Sequence, residues 1–267
     1  MSETEYIREN LKALGICVVI PTYNNAGTLM DVICSVSEYC ADIIVVNDGS
    51  TDATGELLAR PDVPATVVSY SPNKGKGTAL VTGFREALKR GFRYAITIDS
   101  DGQHYASDIP VFAETVALQP DCLIVGSRGM KHDNMPQKNT FANKFSNFWF
   151  AVQTGRRLPD TQSGYRLYPL AKMGNMRLIT SRYEGELEML VRSAWRNIPI
   201  VAVPVKVYYP PEGERVSHFR PARDFTRISL LNTFFCFAAI LYGYPSMLIR
   251  KLLKGVSASG LGEAECH

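Results

Sequence analysis

The first part of the chain repeats one hydropathy unit: a short unbroken apolar run, a polar break, then apolar positions at helical spacing. The runs fall at residues 16–20 and within "ADIIVVNDGSTD", "ATVVSY", "RYAITIDSDG" and "DCLIVGSR". Between them, residues 27–40 place Leu29, Val32, Ile33 and Val36 on one helical face, and residues 51–60 read as a helix. "KGKGTALVTGFREALKRG" predicts a helix entered through glycines and left at Gly91. "SDIPVFAETVAL" predicts another, with Ser107 or Asp108 as its N-cap, and residues 5–14 a short leading one. Strands that are apolar throughout and alternate with helices predict a parallel sheet covered on both faces. Pro21 stands where the first strand is expected to end. Polar loops follow Ile20, Val46, Ile98 and Val125, and in open α/β sheets such loops converge on one ligand-binding rim.

Later segments differ. Residues 139–153 carry Phe141, Phe145, Phe148, Trp149 and Val152 as a helical stripe, which serves either as core or as a membrane-facing surface. "DTQSGYRLYP" is a loop running into a strand-like piece, "GELEMLVRSAWRN" a helix and "IPIVAVPVKVYY" a strand. A basic, turn-rich connector, "PPEGERVSHFRPARD", leads to residues 228–249, a run of 22 residues without a formal charge. Such a run is long enough to cross a bilayer, although Pro245 is expected to break or kink it. Arg250, Lys251 and Lys254 follow, so both flanks are basic, which fits a helix or hairpin that enters and leaves a membrane on its cytoplasmic side. The expected division is a catalytic domain over 1–210, a connector over 211–227, the apolar segment over 228–254 and a disordered tail over 255–267.

Composition changes this picture little. With 267 residues, 46% hydrophobic and 21% charged, the chain has the composition of an ordinary globular protein; its net charge of +3 argues for nothing by itself, and no nucleic-acid partner is expected. Six scattered cysteines without a CxxC pair indicate reduced thiols rather than a disulfide framework or zinc site. The polar start, "MSETEYIREN", is not a signal peptide.

Candidate chemistry lies in the polar loops. Asp99 and Asp101 of "DSDGQH" can converge on one hard divalent ion, with an oxygen from Gln103 and a hydrogen bond or nitrogen from His104. Equally, Asp99 can cap a turn and Asp101 serve a DG turn. In "NDGSTD", Asp48 can meet a nucleobase edge or ribose hydroxyl, while Ser50, Thr51 or Asp52 caps the next helix. "NKGKGTA" resembles a phosphate cradle at a helix start but lacks P-loop spacing, and its glycines can simply serve a tight entry. In the connector, Arg215, Ser217, His218, Arg220, Arg223 and Arg227 are either a solvated linker or a loop that closes on a diphosphate near anionic headgroups.

In order, "VVIPTYNN", "IIVVNDGSTD", "NKGKGTAL", "ITIDSDGQH" and "IVGSR" resemble the family-2 glycosyltransferases of GT-A fold, over about residues 17–209. "DSDGQH", "DTQSGYRLYP" and "RVSHF" are most similar to the polyprenol- or dolichol-phosphate mannose synthase branch. The resemblance implies an inverting transfer of a sugar from a nucleotide donor to a membrane lipid, a polyprenyl phosphate. It implies that Pro21, Tyr23 and Asp48 line the nucleoside pocket, joined by Lys76 and Ser100. Asp99, Asp101 and Gln103 would hold Mg²⁺ or Mn²⁺; Arg128 and Lys138 would face phosphate, with His104 near the acceptor; Arg215 and Ser217 would close over the diphosphate. Asn25 stands where the family usually has Glu, Asn47 where an acidic residue is common, and "QxxRW" is absent, which argues against a processive enzyme. A phosphate acceptor is already ionised at pH 7 and needs no base; a hydroxyl acceptor would need Glu186, Glu188 or Asp160. A non-catalytic nucleotide-sugar binder that tethers a partner to membrane, and a sugar nucleotidyltransferase, are the readings outside this class. The second would want a basic, glycine-rich signature that "IPTYNNAGT" lacks.

Overall fold

The computed structural model describes residues 2–129, 137–173, 176, 178–208 and 221–259. Among them, seven strands make one sheet in the order β3-β2-β1-β4-β6-β5-β7. They are β1 (Ile16–Thr22), β2 (Ile43–Asp48), β3 (Thr66–Tyr70), β4 (Tyr94–Thr97), β5 (Leu123–Arg128), β6 (Arg166–Pro169) and β7 (Ile200–Val205). β6 runs antiparallel between β4 and β5, and the remaining pairs are parallel. Two apolar clusters, one on each face, bury both sides of the sheet, as the unbroken apolar strands require.

α1 (Glu3–Leu14) starts two residues earlier than expected, because Ser2 and Glu5 form a reciprocal capping box. α2 (Leu29–Tyr39) buries the four apolar positions read from its spacing. α3 (Thr54–Leu58) is shorter than expected, since Asp52 is drawn into an Asx turn by the Thr54 N–H. α4 (Lys76–Lys89) follows Gly75, and α5 (Ile109–Leu118) follows a short 3₁₀ turn. Asp108 stands at the N-cap of α5, as expected, but its side chain makes no capping bond. The Asp108 carboxylate instead accepts the Lys206 N–H at 2.6 Å and ties α5 to the end of β7.

β1 continues through Pro21, which pairs with Val46. Odd residues of β1 face β4, where Val19 accepts the Ile98 N–H, and β4 has already ended at Thr97. The missing proline N–H therefore falls where no partner strand remains.

α6 (Gln137–Thr154) buries Phe150 in the core but carries an exposed apolar strip beside a partly polar inner face. Its buried positions include Asn143, Ser146, Gln153 and Thr154, while Phe148 and Val152 are exposed. α7 (Leu170–Met173) and α8 (Glu184–Trp195) follow. α9 (Pro221–Ala238) joins α10 (Tyr244–Ser259) through a π turn, Ala239–Gly243, and the helix runs on through Pro245. The widened turn includes Leu241, the i−4 position whose carbonyl a proline ring would strike in a regular helix, so the proline is absorbed without a break.

Leu231, Phe235, Ala239 and Gly243 recur every fourth residue and are buried, whereas Leu230, Phe234, Phe237, Ile240 and Leu241 are exposed. The buried face is bonded to the domain along its length. Gln153 donates to Asn232 at 2.9 Å, Ser246 to the Trp195 carbonyl at 3.4 Å and Asn197 to the Met247 carbonyl at 2.9 Å.

α4 lies so close to the sheet that a Cβ on Gly83 would collide with Val19 and reach Val46 at 3.2 Å. Overpacking of this kind costs about 1–3 kcal/mol, more than alanine returns in helix propensity. Gly83→Ala is therefore expected to lower the urea midpoint of unfolding at unchanged slope.

Candidate active site

The rim beyond β1, β2 and β4 opens into a cavity of about 1200 Å³. Pro21, Tyr23, Asp48, Lys76, Asp99, Ser100, Asp101, Gln103, Arg128 and Glu186 all border it. Residues from six separate stretches thus meet in one place, as convergent strand ends predict.

At the centre is an ammonium. Lys76, the first residue of α4, places Nζ 2.7 Å from Asp99 Oδ1 and 2.8 Å from Glu186 Oε2. Burial disfavours the charged lysine, but Asp99 and Glu186 outweigh it and hold its pKa above the ordinary lysine value. Burial likewise opposes ionised Asp99, and Lys76 reverses the balance, leaving Asp99 below the usual carboxylate range. A Cβ on Gly164 would meet Asp99 Oδ2 at 2.8 Å and Lys76 Nζ at 2.9 Å, so this pair packs against bare backbone.

Asp101 has no such partner in the pair. Burial and the neighbouring Asp99 push its carboxyl up to about 6, while Oδ1 accepts the Gln103 N–H at 3.0 Å. A raised carboxyl beside an ionised one is a site short of positive charge. Asp99, Asp101 and the Gln103 amide offer hard oxygen donors, which fit Mg²⁺ or Mn²⁺ rather than a soft metal. Among the described residues no group of three His, Cys, Asp or Glu side chains forms a metal cage. The remaining ligands of a divalent ion would then come from substrate phosphate and water.

The glycine-rich segment is shaped by Asp48. Its carboxylate accepts the N–H groups of Lys74 at 2.7 Å and Gly75 at 2.8 Å, and the Asn73 amide at 2.9 Å. Gly75 has φ +96°, and a Cβ there would lie 2.5 Å from the Ser181 carbonyl. Ser100 is buried, its carbonyl accepting the Thr28 hydroxyl. Arg128 forms a two-pronged pair with Asp160, at 2.7 Å and 3.0 Å.

The three candidate bases separate. Asp160 is fully buried and takes the N–H groups of Arg128, Gln162 and Ser163 besides the guanidinium. Burial opposes its charge, but Arg128 and these N–H groups hold its pKa below the ordinary value. Glu188 is also fully buried, bound to the Ile179 and Thr180 N–H groups, the Thr180 hydroxyl and Arg192. Both are scaffolding. Glu186 alone of the three borders the cavity.

His104 stands apart from the large cavity. It pairs with Val207 in an isolated bridge, packs on Tyr165 at 5.0 Å between ring centroids, and lines a separate cavity of about 400 Å³. Burial, with the nearby cations Arg128 and Lys76, pushes its pKa down to about 4 against the pull of Asp99, so it is neutral at pH 7. It braces the turn, where an acceptor contact was also expected. Lys138 is in the first turn of α6, but its side chain, like Arg215 and Ser217, lies outside the described residues.

The sequence reading missed Arg166. Fully buried, it donates to the carbonyls of Thr161, Ser163 and Glu186 at 2.7–2.9 Å. Its only sequence signal was a charged residue at the head of a buried strand.

The mostly parallel sheet with its polar rim is a GT-A-like fold. The profile of glycosyl transferase family 2 matches residues 17–170, and the chain belongs to that family. It is 33% identical over 214 residues to glycosyltransferase AglJ of Haloferax volcanii, covering 78% of this chain and 68% of that protein. It is 29% identical over 215 residues to an undecaprenyl-phosphate mannosyltransferase of Micrococcus luteus, covering 74% and 86%. Among solved structures, glucosyl-3-phosphoglycerate synthase of Mycobacterium tuberculosis, in complex with Mn²⁺, UDP-glucose and phosphoglyceric acid, shares the fold. The TM-score is 0.63 at 19% identity, over 89% of this chain and 84% of that one.

The raised Asp101 pKa has a stability consequence. A group whose pKa is higher folded than unfolded contributes stability at low pH and loses it as pH rises through the folded value, here about 6. Asp101→Asn removes that loss, which is on the order of 1–2 kcal/mol after allowance for solvent screening. The variant is expected to melt a few degrees above the parent at pH 8 and level with it at pH 4, by scanning calorimetry in metal-free buffer.

Proposed function

We propose that the enzyme moves a sugar from a nucleotide donor to a polyprenyl phosphate at a membrane surface, with a divalent cation and with inversion at the anomeric carbon. One observation carries this reading. The cavity that holds Asp99 and Asp101 extends to Ala142 and Ser146 of α6 and Ile228 of α9, the two helices that carry exposed apolar faces. A substrate with a phosphate head and an apolar tail spans such a path. The acceptor named for the undecaprenyl-phosphate mannosyltransferase has that form.

Charge dictates the division of labour. The leaving nucleoside diphosphate gains negative charge as the glycosidic bond breaks. Asp99, Asp101 and Gln103 would hold the cation, which supplies electrostatic stabilisation of that group. Arg128, fixed on Asp160, turns a rigid guanidinium toward the acceptor phosphate, with Lys138 as a second cation. Arg215 and Ser217 close over the donor. Pro21, Tyr23, Asp48 and Ser100 surround the nucleoside end. The ionised lipid phosphate attacks the face opposite the leaving group. It needs no protein base, in keeping with the engagement of Asp160 and Glu188 in backbone bonds.

The helix from α9 to α10 would lie along the cytoplasmic membrane surface. Its buried face is fastened to the domain, and its other face offers Phe237 at 66% exposure and Leu241 at 81%. Arg250 and Lys251 beyond it suit anionic headgroups.

Transfer of labelled sugar from GDP- and UDP-hexoses to polyprenyl phosphate is expected only with Mg²⁺ or Mn²⁺, giving product of inverted anomeric configuration by NMR. Asp101→Ala should lose at least ~100-fold in turnover, and full activity in that variant would remove the cation from the scheme. The double variant Phe237→Asp/Leu241→Asp is expected to sediment with anionic liposomes roughly tenfold less than the parent, with nucleotide affinity unchanged.

A further inference from the structure

Ser100 stands between Asp99 and Asp101, and all three border the large cavity. The relative direction of carboxylates at i and i+2 depends on the torsions of the residue between them. β4 has ended at Thr97, so strand pairing does not hold Ser100. The loop after β1 supplies a clasp instead. Asn25 donates from Nδ2 to the Ser100 carbonyl at 2.5 Å and to the Ser100 hydroxyl at 3.0 Å. The Thr28 hydroxyl reaches the same carbonyl at 2.6 Å and Asn25 Oδ1 at 3.0 Å. A carbonyl only accepts, so both side chains are donors toward it.

The clasp is built at some cost to its own surroundings. Thr28 is the N-cap of α2, where threonine ordinarily bonds an N–H of its own helix, yet its side chain makes no capping bond. The hydroxyl serves a loop 72 residues away. Asn25 is buried and anchored on both sides: its N–H donates to the Thr54 hydroxyl at 3.0 Å, and its carbonyl accepts the Leu29 N–H at 3.3 Å. The starts of α2 and α3 thus hold the peptide that joins Ser100 to Asp101, while Lys76 holds Asp99 at 2.7 Å. On the reading that these two carboxylates carry a divalent cation, we infer that Asn25 and Thr28 are positioning residues for it. By clasping Ser100 they fix how Asp99 and Asp101 converge, and so which ion fits. Mg²⁺ demands near-ideal octahedral ligands at short range, whereas Ca²⁺ accepts irregular ones at longer range. Groups that orient metal ligands in this way govern affinity without touching the ion.

The test reads metal binding rather than turnover, on the full chain with UDP or GDP present. Mn²⁺ is titrated, the free ion is read by electron paramagnetic resonance, and Mg²⁺ and Ca²⁺ are added as competitors. In Thr28→Val and Asn25→Ala, Mg²⁺ affinity is expected to fall roughly 10- to 100-fold, and Ca²⁺ affinity by no more than about threefold. Thr28→Ser keeps the hydroxyl and is expected to stay within about twofold of the parent for both ions. A role confined to stability would lower the melting temperature and leave the Mg²⁺-to-Ca²⁺ ratio where it was. Thr28→Val keeps the side chain's shape at a half-buried position and breaks no capping bond, so it decides the matter should Asn25→Ala fail to fold. An unchanged ratio in Thr28→Val would overturn the inference alone, as would an equal loss in Thr28→Ser. A parent that binds no Mn²⁺ with either diphosphate would overturn the cation reading, and the inference with it.

Discussion

The site depends on one buried ammonium. Lys76 joins the start of α4, the turn after β4 and the first turn of α8, three elements with no local reason to meet. Its charge sits within 2.8 Å of two buried carboxylates, Asp99 and Glu186. Such a cluster is not a source of net stability, since desolvation consumes most of the Coulombic gain. It is a source of geometry. Removing any one member leaves a buried charge unpaired, which typically costs 3–5 kcal/mol, so the three elements are held to one arrangement. Close approach follows from it: Gly164 lacks a Cβ where Asp99 and Lys76 pack, and Gly75 lacks one where the Ser181 carbonyl passes.

Around this centre, buried acids do two kinds of work. Asp48, Asp160 and Glu188 accept backbone N–H groups and shape the loops at 73–75, 160–163 and 179–180. Asp99, Asp101 and Glu186 instead border the cavity, the first and last paired with Lys76 and the second raised to about 6. Loops that carry a site cannot rely on strand pairing for rigidity. Carboxylates binding their N–H groups supply what the sheet does not.

Under the proposed function the same cavity connects two solvents. At one end lie carboxylates and glycines suited to a charged, water-borne donor. At the other lie α6 and α9, which also carry exposed apolar residues such as Phe148 and Phe237. Phe148, Phe237 and Leu241 are exposed, while Asn143, Ser146 and Asn232 lie buried beside Phe150, Leu231 and Phe235. Under the proposed function, lipid covers that exposed face and lies next to the chemistry.

Strand positions, the parallel sheet and the convergent rim were legible in the sequence, because a strand buried on both faces needs an unbroken apolar run and the next polar residue marks its end. "DSDGQH" was legible as a candidate site for the same reason. Pairing was not legible. Nothing near Glu186, Glu188 or Asp160 tells which one reaches the cavity, since their partners lie on other elements. Nor does the stripe on α6 say which way it faces, because periodicity defines a face and not its direction. Pro21 did not end β1 and Pro245 did not break the helix: the outcome depended on where β4 stops and on a π turn upstream, which the prolines alone do not tell. The sequence by itself determined the elements and the residues at their ends, which are set by short-range hydropathy. Only the tertiary structure decided which charges meet, because that depends on where distant segments land once the sheet has formed.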